Sequence, residues 1–236
     1  MGVVGNSGGK KFFYERFAGE FDERMDRYDL TRRLEIVFDE LLGGEALAGR
    51  LFLDAGCGTG HFSRRAVERG AEVVSLDVGP ALLAKVAGKC SSHPVIGDVL
   101  SLAFADSSFD FVLSTEVIEH TVDPEAAVRE LVRVLKPGGT LVLTVPNRFW
   151  HFSVSLANAL KIRPYEGYEN WMGWSRLRER LWKEGLTVKE MRGFHLFPFV
   201  LRSTHGILRR LDRYGARLGP FMVNIAVKAI RKPPPR

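Results

Sequence analysis

From Leu51 to Pro146 one pattern repeats: a short apolar run, a turn, then residues at helical spacing. The runs cover 51–54, 72–76, 95–96, 109–114 and 140–145, and the helical stretches cover 61–69, 79–88 and 123–136. Two strands lie parallel only if the chain crosses back between them, and the usual crossover is a helix. The alternation therefore predicts an α/β sheet, parallel in this part, with helices on both faces. Gly70 and Pro137-Gly138-Gly139 fall where turns are needed.

The flanks break the pattern. Apolar residues at helical spacing predict helices over 11–21 and 30–42, the second stopped by Gly43-Gly44. Beyond Pro146, 150–161 and 174–184 read as helices, 186–193 as a strand, 203–214 as a basic helix and 221–230 as a last strand. Two late strands around a helix-bearing insertion depart from the plain strand–helix repeat. The organisation expected is a flexible leader over 1–10, one domain over 11–230 and a frayed tail over 231–236. Within the domain, N-terminal helices occupy 11–45, a ligand-binding core 51–147, and a helical cap with an insertion lies within 148–220.

At 236 residues, 45% hydrophobic and 26% charged, the chain has the make-up of one soluble globular domain. Cys57 and Cys90 cannot make a disulfide framework, which points to a reducing, cytoplasmic setting. MGVVGNSGGKK is too poor in apolar residues for a signal-peptide core, and Asn6 stands where a myristoylation signal has Ser or Thr. No run reaches the roughly 18 apolar residues of a membrane span. Charge is uneven: residues 1–146 carry 16 basic against 22 acidic side chains, and residues 147–236 carry 18 against 6. Such a split points either to an acidic partner (an anionic substrate, a membrane surface or nucleic acid) or to a solvated basic helix face.

The turn after the first run, Asp54-Ala55-Gly56-Cys57-Gly58-Thr59-Gly60, narrows the ligand. A dinucleotide loop is G-x-G-x-x-G, whereas the spacing here is G-x-G-x-G. A triphosphate loop needs Gly-Lys-Ser/Thr, and this loop has no lysine. Asp54 would oppose a pyrophosphate at the helix N-terminus but suits a cationic ligand. S-Adenosylmethionine is such a ligand, with a sulfonium, an ammonium and no phosphate.

On these residues the chain resembles the class I S-adenosylmethionine-dependent methyltransferases of the type 11 group, and is similar to ubiquinone-pathway O-methyltransferases. The match runs over 51–147 and includes FDFVLSTEVIEH and LKPGGTLVLTVPN. It implies a Rossmann-like fold, a mixed seven-stranded sheet with helices on both faces and the helical cap on the acceptor side. It further implies that Asp77 accepts the ribose hydroxyls, that Asp98 accepts from the adenine amino group, and that Val78 and Val99 pack near the ring. Asp77 could instead be a strand-end aspartate, and Asp98 a turn residue. Asp54, Gly56, Cys57, Gly58, Gly60, Ser114 and Thr115 complete the expected cofactor site, with S-adenosylhomocysteine as product. An arginine before the first strand is expected at the cofactor carboxylate; Arg33 fits somewhat better than Arg32, and a solvated helix arginine is the alternative.

Methyl transfer needs an acceptor held in line, and a base only when the nucleophile arrives protonated. The acceptor pocket is expected beyond the C-terminal ends of the strands. Glu116, Glu119 and His120 follow the fourth strand, where a helical turn would bring them to one side. Three roles stay open: a structural pair in the following turn, a His120 base oriented by Glu116, or, by resemblance, ligands for a divalent metal, which is not favoured. His151, His195 and His205 are further base candidates, His61 is read as a helix N-terminal residue, and Cys57 can also be read as packing. Residues 147–183 mix all four tryptophans with arginine and lysine. They read as walls of the acceptor pocket, or as a surface over 148–183 that, with the basic C-terminal part, rests peripherally on an anionic membrane; nucleic acid is the weakest option. The expected function is methyl transfer to an O or N of a small acceptor, anionic or lipid-like. Two alternatives are a non-catalytic cofactor-binding or docking protein and a nucleotide-dependent oxidoreductase.

Overall fold

Strands with both faces covered are built from near-continuous Val, Leu and Phe, and Phe52, Leu53, Val112, Leu113, Leu141 and Val142 are all buried. The computed structural model describes residues 18–153, 168–199 and 201–233. Seven strands form one sheet: β1 (Leu51–Ala55), β2 (Glu72–Asp77), β3 (His93–Ile96), β4 (Phe109–Thr115), β5 (Leu135–Pro146), β6 (Leu186–Phe194) and β7 (Asn224–Arg231). Their order is β3-β2-β1-β4-β5-β7-β6. The pairs from β3 through β5 are parallel, and β7 runs antiparallel to both β5 and β6. The expected mixed α/β sheet is therefore what the chain forms.

The described helices are α1 (Phe21–Arg24), α2 (Arg27–Leu34), α3 (His61–Glu68), α4 (Pro80–Val86), α5 (Pro124–Val134), α6 (Trp174–Lys183), α7 (His205–Leu211) and α8 (Gly215–Leu218), with short 3₁₀ turns between. Asp26 caps α2 by accepting from the N–H groups of Tyr28 and Asp29, and Asp123 caps α5 at Ala126; both satisfy donors that a helix start leaves unpaired. Beyond Leu34 the chain winds on as a π-helix, Glu35–Leu41, which turns Ile36, Val37, Phe38 and Leu41 into the core. One sheet face packs against this segment and α3, the other against α5 and α6.

Several boundaries differ from the sequence expectation. The helix over 11–21 lies mostly outside the described residues, as do the leader, the last three residues and most of 150–161. Strand β5 starts at Leu135, because pairing with Phe109 begins before Pro137-Gly138-Gly139, and these residues form an irregularity inside the strand rather than a turn before it. The single helix over 203–214 is replaced by α7, a 3₁₀ turn at Asp212–Tyr214 and α8. Gly206 and Gly215 weaken a continuous helix, and the Asp212 side chain is held inward by Arg32 and the His195 N–H. Strand β7 starts at Asn224, because Gly219–Phe221 takes a 3₁₀ turn around Pro220.

Candidate functional site

Strand β1 ends in the glycine loop, which folds back on β2: the N–H groups of Gly56 and Cys57 both donate to the Leu76 carbonyl, at 2.7 and 2.9 Å. Gly56 has φ +83°, and a Cβ there would stand 2.3 Å from Val117 Cγ2. Only glycine fits that position. Asp77 closes the loop from the end of β2: its Oδ2 accepts from the Gly58 N–H and its Oδ1 from the Gly79 N–H, each at 2.9 Å. Asp98 accepts from the Leu100 N–H at 2.9 Å, so the turn geometry expected of it is present; Val99 beside it is buried and Val78 half-buried.

Asp54 does not look out of the loop. It is fully buried, and its Oδ2 accepts from the Ser63 hydroxyl at 2.6 Å, while Ser63 accepts in turn from Ser75 at 2.7 Å. Burial, reinforced by the charge of Asp77 and opposed by the Ser63 bond, pushes its carboxyl up to about 7. The carboxyl expected to attract a cationic ligand is thus buried beneath the loop and keeps its proton below about pH 7. Cys57 packs with Leu83 and Val86, and burial raises its thiol well above the ordinary range, so its side chain fills space.

An unforeseen group lies across the loop. Phe21 Cε1 is 3.5 Å from where a Cβ on Gly58 would stand. Asp22 accepts from the Thr59 hydroxyl at 2.5 Å and from Lys89 Nζ at 2.6 Å, and His61 Nε2 lies 3.0 Å away. Burial alone would raise Asp22, but the bonds from Lys89, Thr59 and His61 outweigh it and hold the carboxyl far below its usual range. Burial pushes His61 down despite Asp22. Sequence reasoning placed His61 at the helix start and missed Asp22 and Lys89, which are far apart in the chain and carry no spacing signal.

A second polar group sits beyond the ends of β4, β5 and β7. Glu116 directly follows β4 with φ +54°, a conformation costly for a residue with a side chain. Its Oε2 accepts from Asn224 Nδ2 at 3.2 Å. Glu119, 2% exposed, lies in the next turn; burial and the nearby Glu116 push it well above the carboxylate range, while a backbone hydrogen bond and Arg33 pull the other way. Among the described residues Glu116 Oε1, Glu119 Oε2, Thr144 Oγ1, Asn224 Oδ1 and Arg33 Nε are buried without a hydrogen-bond partner, as is Ser114 Oγ nearby. Each such atom costs about 1–3 kcal/mol until something meets it. Asn224, an amide in the otherwise apolar run around it, was the sequence signal for this group.

The two arginines of α2 divide. Arg32 is buried and bound by Asp212 at 2.7 Å, Glu40 at 2.6 Å and Glu35 at 3.2 Å. Arg33 pairs with Asp29 and lies near enough to Glu119 and His195 to act on both. Of the histidines, His120 donates from Nδ1 to the Tyr168 carbonyl at 3.0 Å, with Nε2 3.8 Å from Glu119. His195 is fully buried, with Nε2 3.1 Å from Asp29; burial, with Arg33 and Arg32 and against Asp212, lowers it to about 4. His205 stacks on Tyr28 at 3.8 Å between ring centroids, and His151 meets the edge of Trp171. Both have ring partners. Among the described residues no group of three His, Cys, Asp or Glu is placed to hold a metal ion.

The basic surplus of the C-terminal part meets the acidic N-terminal part within the fold. Arg176 and Arg180 pair with Glu125, Arg192 with Glu40, Arg209 with Glu35 and Lys228 with Glu45. Of the aromatic insertion, 154–167 lies outside the described residues; Trp171 and Met172 are buried, whereas Phe149, Phe152 and Trp182 are exposed. Among the described residues no helix is long and apolar enough to cross a membrane.

Residues 53–143 match a family described as a methyltransferase domain. The chain is 36% identical over 130 residues to a malonyl-[acyl-carrier protein] O-methyltransferase of Serratia marcescens, covering 54% of this chain and 51% of that one. It is 42% identical over 108 residues to a ubiquinone biosynthesis O-methyltransferase of Xanthomonas oryzae pv. oryzae, covering 43% and 45%. The chain thus spans about half the length of these curated relatives. Its fold superposes on a chain from the Haloferax volcanii complex with the Trm112 methyltransferase activator with a TM-score of 0.70, at 19% identity, over 96% of this chain and 99% of that one.

Proposed function

We propose that this chain, which belongs to the class I S-adenosylmethionine-dependent methyltransferases, transfers a methyl group from S-adenosylmethionine to an oxygen or nitrogen of a small-molecule acceptor. The observation that carries it is the Asp77 carboxylate, fixed by the Gly58 and Gly79 N–H groups opposite a glycine loop whose own residues include no lysine or arginine, the nearby Lys89 being taken up by Asp22 and Thr59. Such a carboxylate suits two ribose hydroxyls and repels a phosphate. The relatives' names weight oxygen over nitrogen.

S-Adenosylmethionine supplies a methyl carbon already activated by its sulfonium, so the protein's task is to hold, align and exclude water. Gly56, Gly58 and Gly60 let the backbone come close to the ligand. Asp77 would take the ribose hydroxyls and Asp98 the adenine amino group, with Val78 and Val99 along the ring. Ser114 and Thr115 would line the amino-acid end and Arg33 would meet its carboxylate. Asp54 braces the loop from beneath through Ser63. His120, its Nδ1–H held by the Tyr168 carbonyl, is the base we assign to a hydroxyl acceptor, taking the proton as the oxygen attacks.

Titration calorimetry with S-adenosylmethionine, S-adenosylhomocysteine and NADH tests the assignment, with Asp77→Ala alongside and its melting point as a folding control. Binding of the first two, weakened at least tenfold in a folded variant, is the expected result. Binding of NADH alone would refute it. The exposed rings of Phe149, Phe152 and Phe221 favour a peripheral contact with a membrane at the acceptor edge. Vesicle sedimentation of wild type against Phe149→Ser/Phe152→Ser, with equal binding by both, would exclude that contact.

A further inference from the structure

The group beyond β4, β5 and β7 is unbalanced in its hydrogen-bonding capacity. Glu116 Oε1 and Asn224 Oδ1 are acceptors, Thr144 Oγ1 and the Glu119 carboxyl, which burial pushes up, serve as either, and Arg33 Nε is the one dedicated donor among these buried unpartnered atoms. His195 Nδ1, unpartnered as well, adds an acceptor, because Nε2 faces the Asp29 carboxylate. The atoms belong to one locality: Asn224 bonds Glu116, the Glu116 N–H bonds the Thr144 carbonyl, and Glu116 and Arg33 both act on Glu119 and His195. Glu119, Thr144 and Asn224 are each more than nine-tenths buried. Arg33 is already matched by Asp29, so the two glutamates have no dedicated cation.

We propose that this cluster binds an organic ammonium group carried by the methyl acceptor. The inference rests on the methyltransferase assignment and extends it to the chemical class of the acceptor. An ammonium offers three donors and no acceptor, matching what the cluster lacks. A carboxylate or phosphate would set oxygen against oxygen in a buried place. Ser114, assigned above with Arg33 to the cofactor's amino-acid end, lies on β4, whereas Thr144 and Asn224 stand on β5 and β7, two and three strands from β1, with neighbouring strands roughly 4.8 Å apart. The acceptor's ammonium is placed on that far side. Arg176, Arg180, Arg192, Arg209 and Lys228 of the basic C-terminal part pair with Glu125, Glu40, Glu35 and Glu45, outside this cluster.

The test is calorimetric titration of the whole chain, with and without saturating S-adenosylhomocysteine, using methylammonium and phenethylammonium, with phenylacetate, phenethyl alcohol and Mn²⁺ as contrasts. Glu116→Gln and Glu119→Gln, which keep size and replace an acceptor oxygen by a donor, are run beside wild type; circular dichroism shows which of them folds, and one folded variant suffices. The expected result is binding of the ammonium probes in preference to phenylacetate, weakened at least tenfold in the variants, with S-adenosylhomocysteine affinity within about threefold of wild type. Equal binding of phenylacetate, no ammonium binding, or ammonium affinity unchanged in the folded variants overturns the proposal. Competition between ammonium and S-adenosylhomocysteine assigns the site to the cofactor, and Mn²⁺ binding lost in the variants assigns it to a metal; either overturns it. Failure of S-adenosylhomocysteine to bind wild type sinks the methyltransferase assignment separately, while the ammonium titration of the unloaded protein still decides the cluster.

Discussion

Asp54 should make the folded protein progressively less stable as pH rises from about 4 to about 7. The carboxyl titrates at about 7 when folded, against an ordinary value of 3.8. Below pH 4 both states are protonated and the group contributes nothing. Above that, the unfolded chain releases a proton that the folded chain keeps, and the unfolded state gains. A gap of about three pKa units at 1.36 kcal/mol each gives about 4 kcal/mol, complete near pH 7. This is a large part of the 5–15 kcal/mol typical of a domain. Other carboxylates act in the opposite direction, since Asp110 and Glu130 are held below their ordinary values by Lys136 and Arg133, so the measurement has to be a difference. Urea unfolding of wild type and Asp54→Asn, followed by circular dichroism from pH 4 to pH 8, isolates the group. The amide change itself adds a constant, which leaves the slope. The variant should gain about 4 kcal/mol on wild type across the range. A difference constant to within about 1 kcal/mol would mean that Asp54 ionises in the folded state at an ordinary pH, and the burial argument would fail.

Three further outcomes follow from the geometry. Gly56→Ala forces a Cβ against Val117 at a positive φ and should cost about 3 kcal/mol, combining left-handed strain with overpacking; in thermal melts, Gly56→Ala/Val117→Ala should recover part of the loss, and equal melting of both would refute the contact. His195 titrates at about 4 rather than 6.5, so stability should fall by about 3 kcal/mol as pH drops through that interval; His195→Gln should remove this loss, and an unchanged acid limb would refute it. Asp22→Asn breaks a half-exposed clasp and should change stability by less than about 1 kcal/mol, yet speed S-adenosylhomocysteine release several-fold in stopped-flow measurements; an unchanged rate would show that Phe21 and Asp22 do not cover the ligand.

What could be read in the sequence was local. Strands β1 to β5, the glycine loop and Asp77 are written as periodicity and as glycine at fixed offsets, and the fold carries them in that order, with β5 beginning early, at Leu135. The broken helix over 203–214 was hidden because its cause, Asp212 turned inward to Arg32, depends on a partner 180 residues away. The Asp22 clasp and the Glu116–Asn224 contact were hidden for the same reason. The charge split left two readings open, an outside acidic partner or a solvated basic face, and a share of the C-terminal cations meets Glu35, Glu40, Glu45 and Glu125 of the same chain.

The place of β7 between β5 and β6 has a consequence for synthesis. During translation β5 and β6 emerge well before their shared neighbour, and each presents an unpaired edge to the cell. Those edges are joined only when the residues up to Arg231 have left the ribosome. Until β7 inserts, the β5 edge and the whole of β6 lack strand partners, and a partly folded chain offers those edges to pairing with a second copy.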